Sequence, residues 1–119
     1  MSTTATFIDE NREGVTIVYA MTPWLIEPRM ADVLTRHLND LLDSGSGRIL
    51  INLTDVSRLT SVFIRSFITA GKKAKELDAQ LFFCSVAPVI RDVFTITGLD
   101  KIYKFYADER SALSEIGGE

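Results

Sequence analysis

Residues 48–77 read RILINLTDVSRLTSVFIRSFITAGKKAKEL, and two hydrophobic periods meet inside them. Residues 48–53 (RILINL) form a nearly continuous apolar run, the pattern of a strand covered on both faces. Residues 54–60 (TDVSRLT) turn the chain. From Ser61 the period changes: Phe63, Phe67, Ala70, Ala74 and Leu77 recur at helical spacing, with Ile64, Ile68 and Gly71 beside them. Arg65, Thr69, Lys72, Lys73 and Glu76 take the opposite face, which predicts a helix over 61–77. Thr60 and Ser61 stand where that helix begins. A hydroxyl there can cap free backbone N–H groups at the positive end of the helix dipole. A phosphate placed on it would meet an anion site.

Outward from this stretch, residues 80–85 (QLFFCS) read as the next strand, joined to 48–53 by the helix. Such a crossover makes the two strands parallel and right-handed in connection. Residues 88–97 (PVIRDVFTIT) predict a helix closed by Gly98 and followed by Leu99. Residues 101–106 (KIYKFY) alternate with lysines and read as a short edge strand. Asp108 is placed to cap a last helix over 109–116, packed through Ala112, Leu113 and Ile116. Toward the N-terminus, residues 28–43 predict a helix with Pro28 at its start and a stripe of Met30, Val33, Leu34, Leu38 and Leu41. His37 lies at the stripe's edge without a nucleophile or carboxylate pattern around it, so it reads as a boundary residue. Residues 4–10 and 15–21 predict a hairpin turned by Asn11–Gly14. Between hairpin and helix, TPWLIEP (22–28) admits two readings for Trp24, Leu25 and Ile26. They pack beneath the loop, or they form an apolar contact patch for another protein.

The element order β-β-α-β-α-β-α-β-α predicts an α/β fold, a small mixed sheet with a parallel core and helices packed on it. The 119 residues suit one domain, 1–119, with a core over about 4–116, and 46% hydrophobic residues suffice to bury one. The net charge of −3 argues against a nucleic-acid binder with a broad basic surface. The lone Cys84 excludes an intrachain disulfide and reads as a small buried hydrophobe. One Cys and one His cannot build a Cys/His zinc site, and no Gly-rich phosphate loop or nucleophile–base pair is present. The expectation is therefore no catalysis, no metal and no cofactor. No signal-peptide pattern and no spanning-length apolar run occur, so the chain is expected in the cytoplasm, away from membranes.

These pieces together resemble the bacterial STAS domain, the anti-sigma-factor antagonist family. ILINLTDVSRLTS (49–61) resembles the family's strand, loop and Asp-Ser-Ser-Gly segment. SFITAGKKAKELDAQLFFCSV (66–86) resembles the following helix and strand. VIRDVFTITGLDKIYKFY (89–106) resembles the late helix with its Thr-Gly-Leu-Asp turn, and Ala107 to Leu113 the start of the final helix. The likeness covers about residues 14–116, and the late segment is its most specific part. It implies an anti-sigma-factor antagonist that binds an anti-sigma factor or related serine kinase through the start of helix 61–77. It also implies a switch by phosphorylation at Ser61, with Thr60 the second choice, and a phosphatase that resets it. The contact surface then includes Thr60, Ser61, Val62, Arg65 and Trp24. The chain departs from the family pattern where Val62 stands for Ser or Ala, Phe63 for Gly, Asn52 for Asp, and Thr22-Pro23-Trp24-Leu25 for an early Gly-x-Leu-Asp turn. Two other readings stay open. One is an adaptor of the same fold, binding partners or itself without a phosphate cycle. The other is a small-ligand protein using the helix-61 end as an anion site.

Overall fold

Polar residues do not end a strand that lies at the edge of a sheet, and the first hairpin shows this. The structure, a computed structural model, describes residues 6–117. Strand β1 (Phe7–Arg12) pairs antiparallel with β2 (Val15–Ala20), Phe7 opposite Ala20 and Arg12 opposite Val15. Glu13 and Gly14 make the turn, with φ of 56° and 79°. Two consecutive positive φ values are what tight two-residue hairpins use. The expected strand over 4–10 and turn over 11–14 are thus displaced. Residues 4 and 5 lie outside the described residues, and Asn11 and Arg12 belong to the strand. Five of the six β1 residues are exposed, so its polar side chains stay in water.

The chain then runs through β3 (Trp24–Leu25), helix α1 (Pro28–Asp43), β4 (Arg48–Asn52), β5 (Arg58–Leu59) and α2 (Ser61–Glu76). It continues through β6 (Gln80–Cys84), α3 (Pro88–Ile96), α4 (Leu99–Ile102), β7 (Lys104–Tyr106) and α5 (Glu109–Gly117). The main sheet has the order β1-β2-β4-β6-β7, parallel from β2 onward, so it is mixed with a parallel core as the sequence predicts. Three elements were not expected. β3 and β5 form a separate two-stranded parallel ribbon. The start of the expected strand 101–106 is helical, because Gly98 at φ 80° ends α3 and the chain takes one further turn as α4 before β7.

The two sheet faces are covered unequally. Val18, Ala20, Ile49, Ile51, Leu81 and Phe83 share one core with buried residues of α1, α2 and α3. Val15, Ile17, Leu50, Phe82 and Cys84 face the other way and meet Ala112, Leu113 and Ile116 of α5. The Asp108 carboxylate accepts the Ser111 N–H at 2.8 Å and so caps α5, holding its carboxyl below the usual range. Helix α1 buries Ala31, Leu34, Leu38 and Leu42, whereas Val33 is exposed. Helix α2 buries Phe63, Ile64, Phe67, Ala70 and Ala74, whereas Leu77 is exposed beyond its last turn. Both corrections fall at the margin of an apolar stripe, where one residue of helical rotation decides burial. Phe83 sits at the centre of an aromatic cluster with Phe67, Phe94, Tyr103 and Phe105. The Tyr103 hydroxyl lies over Gly71 and donates to the Phe67 carbonyl at 2.9 Å. Burial pushes that phenol up to about 12.

Candidate functional site

The α2 start is built by its neighbours in space rather than by its own side chains. Ser61 is the first residue of the helix and is exposed. Thr60 is the N-cap residue with extended backbone, φ −98° and ψ 167°, yet its side chain makes no capping bond. Its Oγ1 is buried without a hydrogen-bond partner. The helix is instead held by the ribbon before it. Thr60 N–H donates to the Leu25 carbonyl at 3.1 Å, and the Ser57 and Arg58 N–H groups donate to the Pro23 carbonyl at 2.8 and 3.1 Å. Ser66, one turn inward, donates through Oγ to the Ala31 carbonyl at 3.2 Å and ties α2 to the first turn of α1.

This ribbon joins two stretches that the sequence offers separately. Trp24 pairs with Arg58 and Leu25 with Leu59, so the TPWLIEP loop lies against the segment that leads into Ser61. Leu25 is fully buried, as one reading of the loop expects. Trp24 and Ile26 are not: Trp24 is 62% exposed and Ile26 41%. Val62 is half-buried against the core, Phe63 is wholly buried, and Arg65 is exposed one turn after Ser61. Phe63, at the position of the family's Gly, therefore takes no part in the surface. Arg58 is exposed next to Trp24 and escaped the sequence reading, because a two-residue strand has no period to detect. The exposed Ser61 hydroxyl sits at a helix end whose free N–H groups and dipole favour negative charge.

The cap-free geometry has a direct consequence. Ser61→Ala is expected to change stability by less than about 0.5 kcal/mol, as for surface sites without a special role. Thr60→Val is expected to be neutral or stabilising by about 1 kcal/mol, because it removes a buried hydroxyl that has no partner. Urea denaturation of both variants checks this. A loss of about 1 kcal/mol or more from Thr60→Val would show that the hydroxyl caps the helix in solution.

The STAS domain family model matches residues 9–112, the stretch that contains strands β2 to β7, with the ribbon and the α2 start. The chain belongs to the STAS domain family. Its relatives include BtrV of Bordetella bronchiseptica, a protein named as an anti-sigma factor antagonist, 26% identical over 73 residues that make up 61% of this chain. The match spans 63% of the BtrV length, short of two thirds. A STAS domain protein named as an anti-sigma-factor antagonist, from Planctomyces limnophilus, superposes with a TM-score of 0.81 at 23% identity, covering 93% of this chain and 97% of that one. SpoIIAA of Bacillus, in its phosphorylated form, superposes with a TM-score of 0.73 at 15% identity, over 92% of this chain and 98% of that one. These structural likenesses establish the fold.

Elsewhere in this STAS domain one carboxylate gathers three donors. The Glu109 carboxylate accepts from Tyr19 Oη at 2.8 Å, Asn52 Nδ2 at 2.9 Å and Arg12 at 3.2 Å. Burial and that carboxylate push Tyr19 up to about 12. Asn52, which replaces the family's Asp, is thereby a donor to Glu109, a bond that an ionised Asp could not make. Cys84 is fully buried and its thiol is pushed up to about 11 by desolvation. His37 is half-buried with Nε2 3.1 Å from Asp9 Oδ1. Among the described residues no group of three or more His, Cys, Asp or Glu is placed to hold a metal ion, and no helix is long and apolar enough to cross a membrane.

Proposed function

We propose that this STAS domain is a cytoplasmic anti-sigma-factor antagonist-like regulator and not an enzyme. It docks on an anti-sigma factor or related serine kinase through Thr60, Ser61, Val62, Arg65 and Trp24. The observation that carries the reading is the exposed Ser61 at the first position of a sixteen-residue helix, whose leading segment pairs with the ribbon strand that bears the exposed Trp24. Family membership, the relatives' names and the phosphorylated form of the Bacillus SpoIIAA structure support it. A phosphate on Ser61 adds about −1.5 to −2 charges at neutral pH to that contact surface. It is well placed on the helix start and badly placed in a packed interface, so the same group stabilises the free domain and disfavours the complex. A phosphatase restores the binding state.

Ser61→Asp separates these two effects. The variant is expected to hold or raise folding stability by about 0.3–1 kcal/mol through the helix dipole. Its affinity for the partner is expected to fall at least about tenfold, equivalent to about 1.4 kcal/mol. Calorimetric titration against the anti-sigma partner, paired with denaturation of the free variant, checks both. Unchanged affinity would remove the α2 start from the interface.

A second reading has its own observation. Trp24 and Ile26 expose apolar surface on the loop whose strand pairs with the segment leading to Ser61, and Val62 next to the serine is half-buried, which suits an adaptor that binds partners or a second copy without a phosphate cycle. Phosphopeptide analysis of protein from its own cells discriminates. Phosphate on Ser61 favours the switch, and its absence across growth and stress conditions favours the adaptor.

A further inference from the structure

At the end of the sheet away from Ser61 lies a partly enclosed cavity of about 490 Å³, between the last turn of α2, the start of β6, the α4–β7 segment and the end of α5. The volume falls within the range of small-molecule sites, about 300–1,000 Å³. Phe82 and Ile116, both buried members of the second core, reach its wall beside Tyr106. Three cations, Arg48, Lys75 and Lys104, share the lining, and among the described residues that line it there is no Asp or Glu. This local balance opposes the chain's net charge of −3.

The backbone adds a donor. Gln80 N–H donates to the Gly47 carbonyl at 2.9 Å, on the β4 side of β6. In a parallel ladder the next N–H, that of Leu81, turns to the opposite side. There β7 begins only at Lys104, opposite Phe82, so no strand residue precedes it to receive that N–H. Leu81 lines the cavity. The three cations set the negative sign of a suitable ligand. The last turns of α2 and α5 also end here, and their C-termini carry partial negative charge, which favours a singly charged head over a phosphate. Arg48 already donates to the Ile116 carbonyl at 2.8 Å. Lys75 complements the α2 terminus and Lys104 guards the sheet edge, and both also line the cavity that carries the apolar wall.

We propose that this cavity binds a small amphipathic monocarboxylate. Its head lies between Lys75, Lys104 and the Leu81 N–H, and its hydrocarbon or aryl body packs on Phe82, Tyr106 and Ile116. The site stands apart from the Ser61 surface and does not depend on the function proposed for it.

The test uses the full chain, isotope-labelled, titrated below micelle concentrations with decanoate, decanol and decyl phosphate while amide shifts are followed. Decanoate is expected to give saturable shifts centred on Gly71, Leu81 and Lys104, with at least about tenfold higher affinity than decanol. The double variant Lys75→Gln, Lys104→Gln changes two exposed side chains and should keep the fold. It is expected to lose at least about tenfold in decanoate affinity and to bind decanol unchanged. Ala79→Leu, a second variant that fills the hollow, should weaken both ligands. No saturable decanoate binding, equal affinity for decanoate and decanol, or an unaffected double lysine variant would each overturn the proposal. Tighter binding of decyl phosphate than of decanoate would overturn the assignment to a single negative charge.

Discussion

Truncation of Phe83 to alanine is expected to destabilise the domain by about 3–5 kcal/mol, the range for removing a large aromatic from a packed core. Phe83 is completely buried on the interior strand β6, between β4 and β7. It meets Phe67 edge-on at 5.0 Å between centroids, Phe94 at 5.4 Å, Tyr103 at 5.5 Å, and stacks on Phe105 at 5.1 Å with 14° between planes. These partners come from α2, α3, the α4–β7 connection and β7, so no single element can shift to fill the space. Aromatic pairs add about 0.5–1.5 kcal/mol beyond area burial, and four of them are lost together. Set against a typical total of about 5–15 kcal/mol, the variant stands near the limit of folding at physiological temperature. Urea denaturation measures the effect as a drop in midpoint with an unchanged slope. A loss below about 1.5 kcal/mol would mean that the cluster closes over the missing ring, against the reading of a rigid core.

Gly71→Ala is expected to destabilise the domain by about 1–3 kcal/mol, the cost of overpacking, although alanine is the better helix former by about 1 kcal/mol. Gly71 lies inside α2, where glycine is normally a liability. A Cβ there would overlap the Tyr103 hydroxyl oxygen and come 2.6 Å from the ring carbon that bears it. The ring would have to leave, breaking its bond to the Phe67 carbonyl and opening the aromatic cluster. Tyr103→Phe alone should lose only about 1 kcal/mol, the worth of one hydrogen bond. The double variant should lose less than the sum of the singles, because removing the hydroxyl relieves the shortest contact. A double-mutant cycle by thermal or urea unfolding checks the sign. Stabilisation by Gly71→Ala alone would show that Tyr103 swings away freely.

The long elements were legible because their periods are long enough to count. The apolar run before Asn52 and the helical stripe from Phe63 to Ala74 fix β4 and α2, and Gly98 marks the end of α3 where the backbone needs a positive φ. The missed features are short or act through distant partners. Trp24–Leu25 and Arg58–Leu59 are strands only because each finds the other across more than thirty residues. Residues 101–106 alternate like an edge strand, but the turn of helix over 99–102 takes in the first two of them and carries Leu99 into the core. Asn11 and Arg12 look like a turn because an edge strand exposed on both faces has no apolar alternation. At the site, Ser61 and Thr60 were readable as a helix start. Their lack of capping bonds was not, since the Leu25 carbonyl that anchors Thr60 comes from the ribbon.

The unequal cover of the sheet bears on how the chain is made. Three helices of the first face, α1 to α3, lie within the first 96 residues, whereas among the described residues the helix that covers the second face is α5, beginning at Glu109. Synthesis runs from the N-terminus, so a nascent chain completes one side of the sheet while the other is bare. Val15, Ile17, Leu50 and Phe82 then form a greasy patch that stays open until α5 has left the ribosome. That interval is where a chaperone would act, and where early termination would leave a half-dressed sheet prone to aggregate.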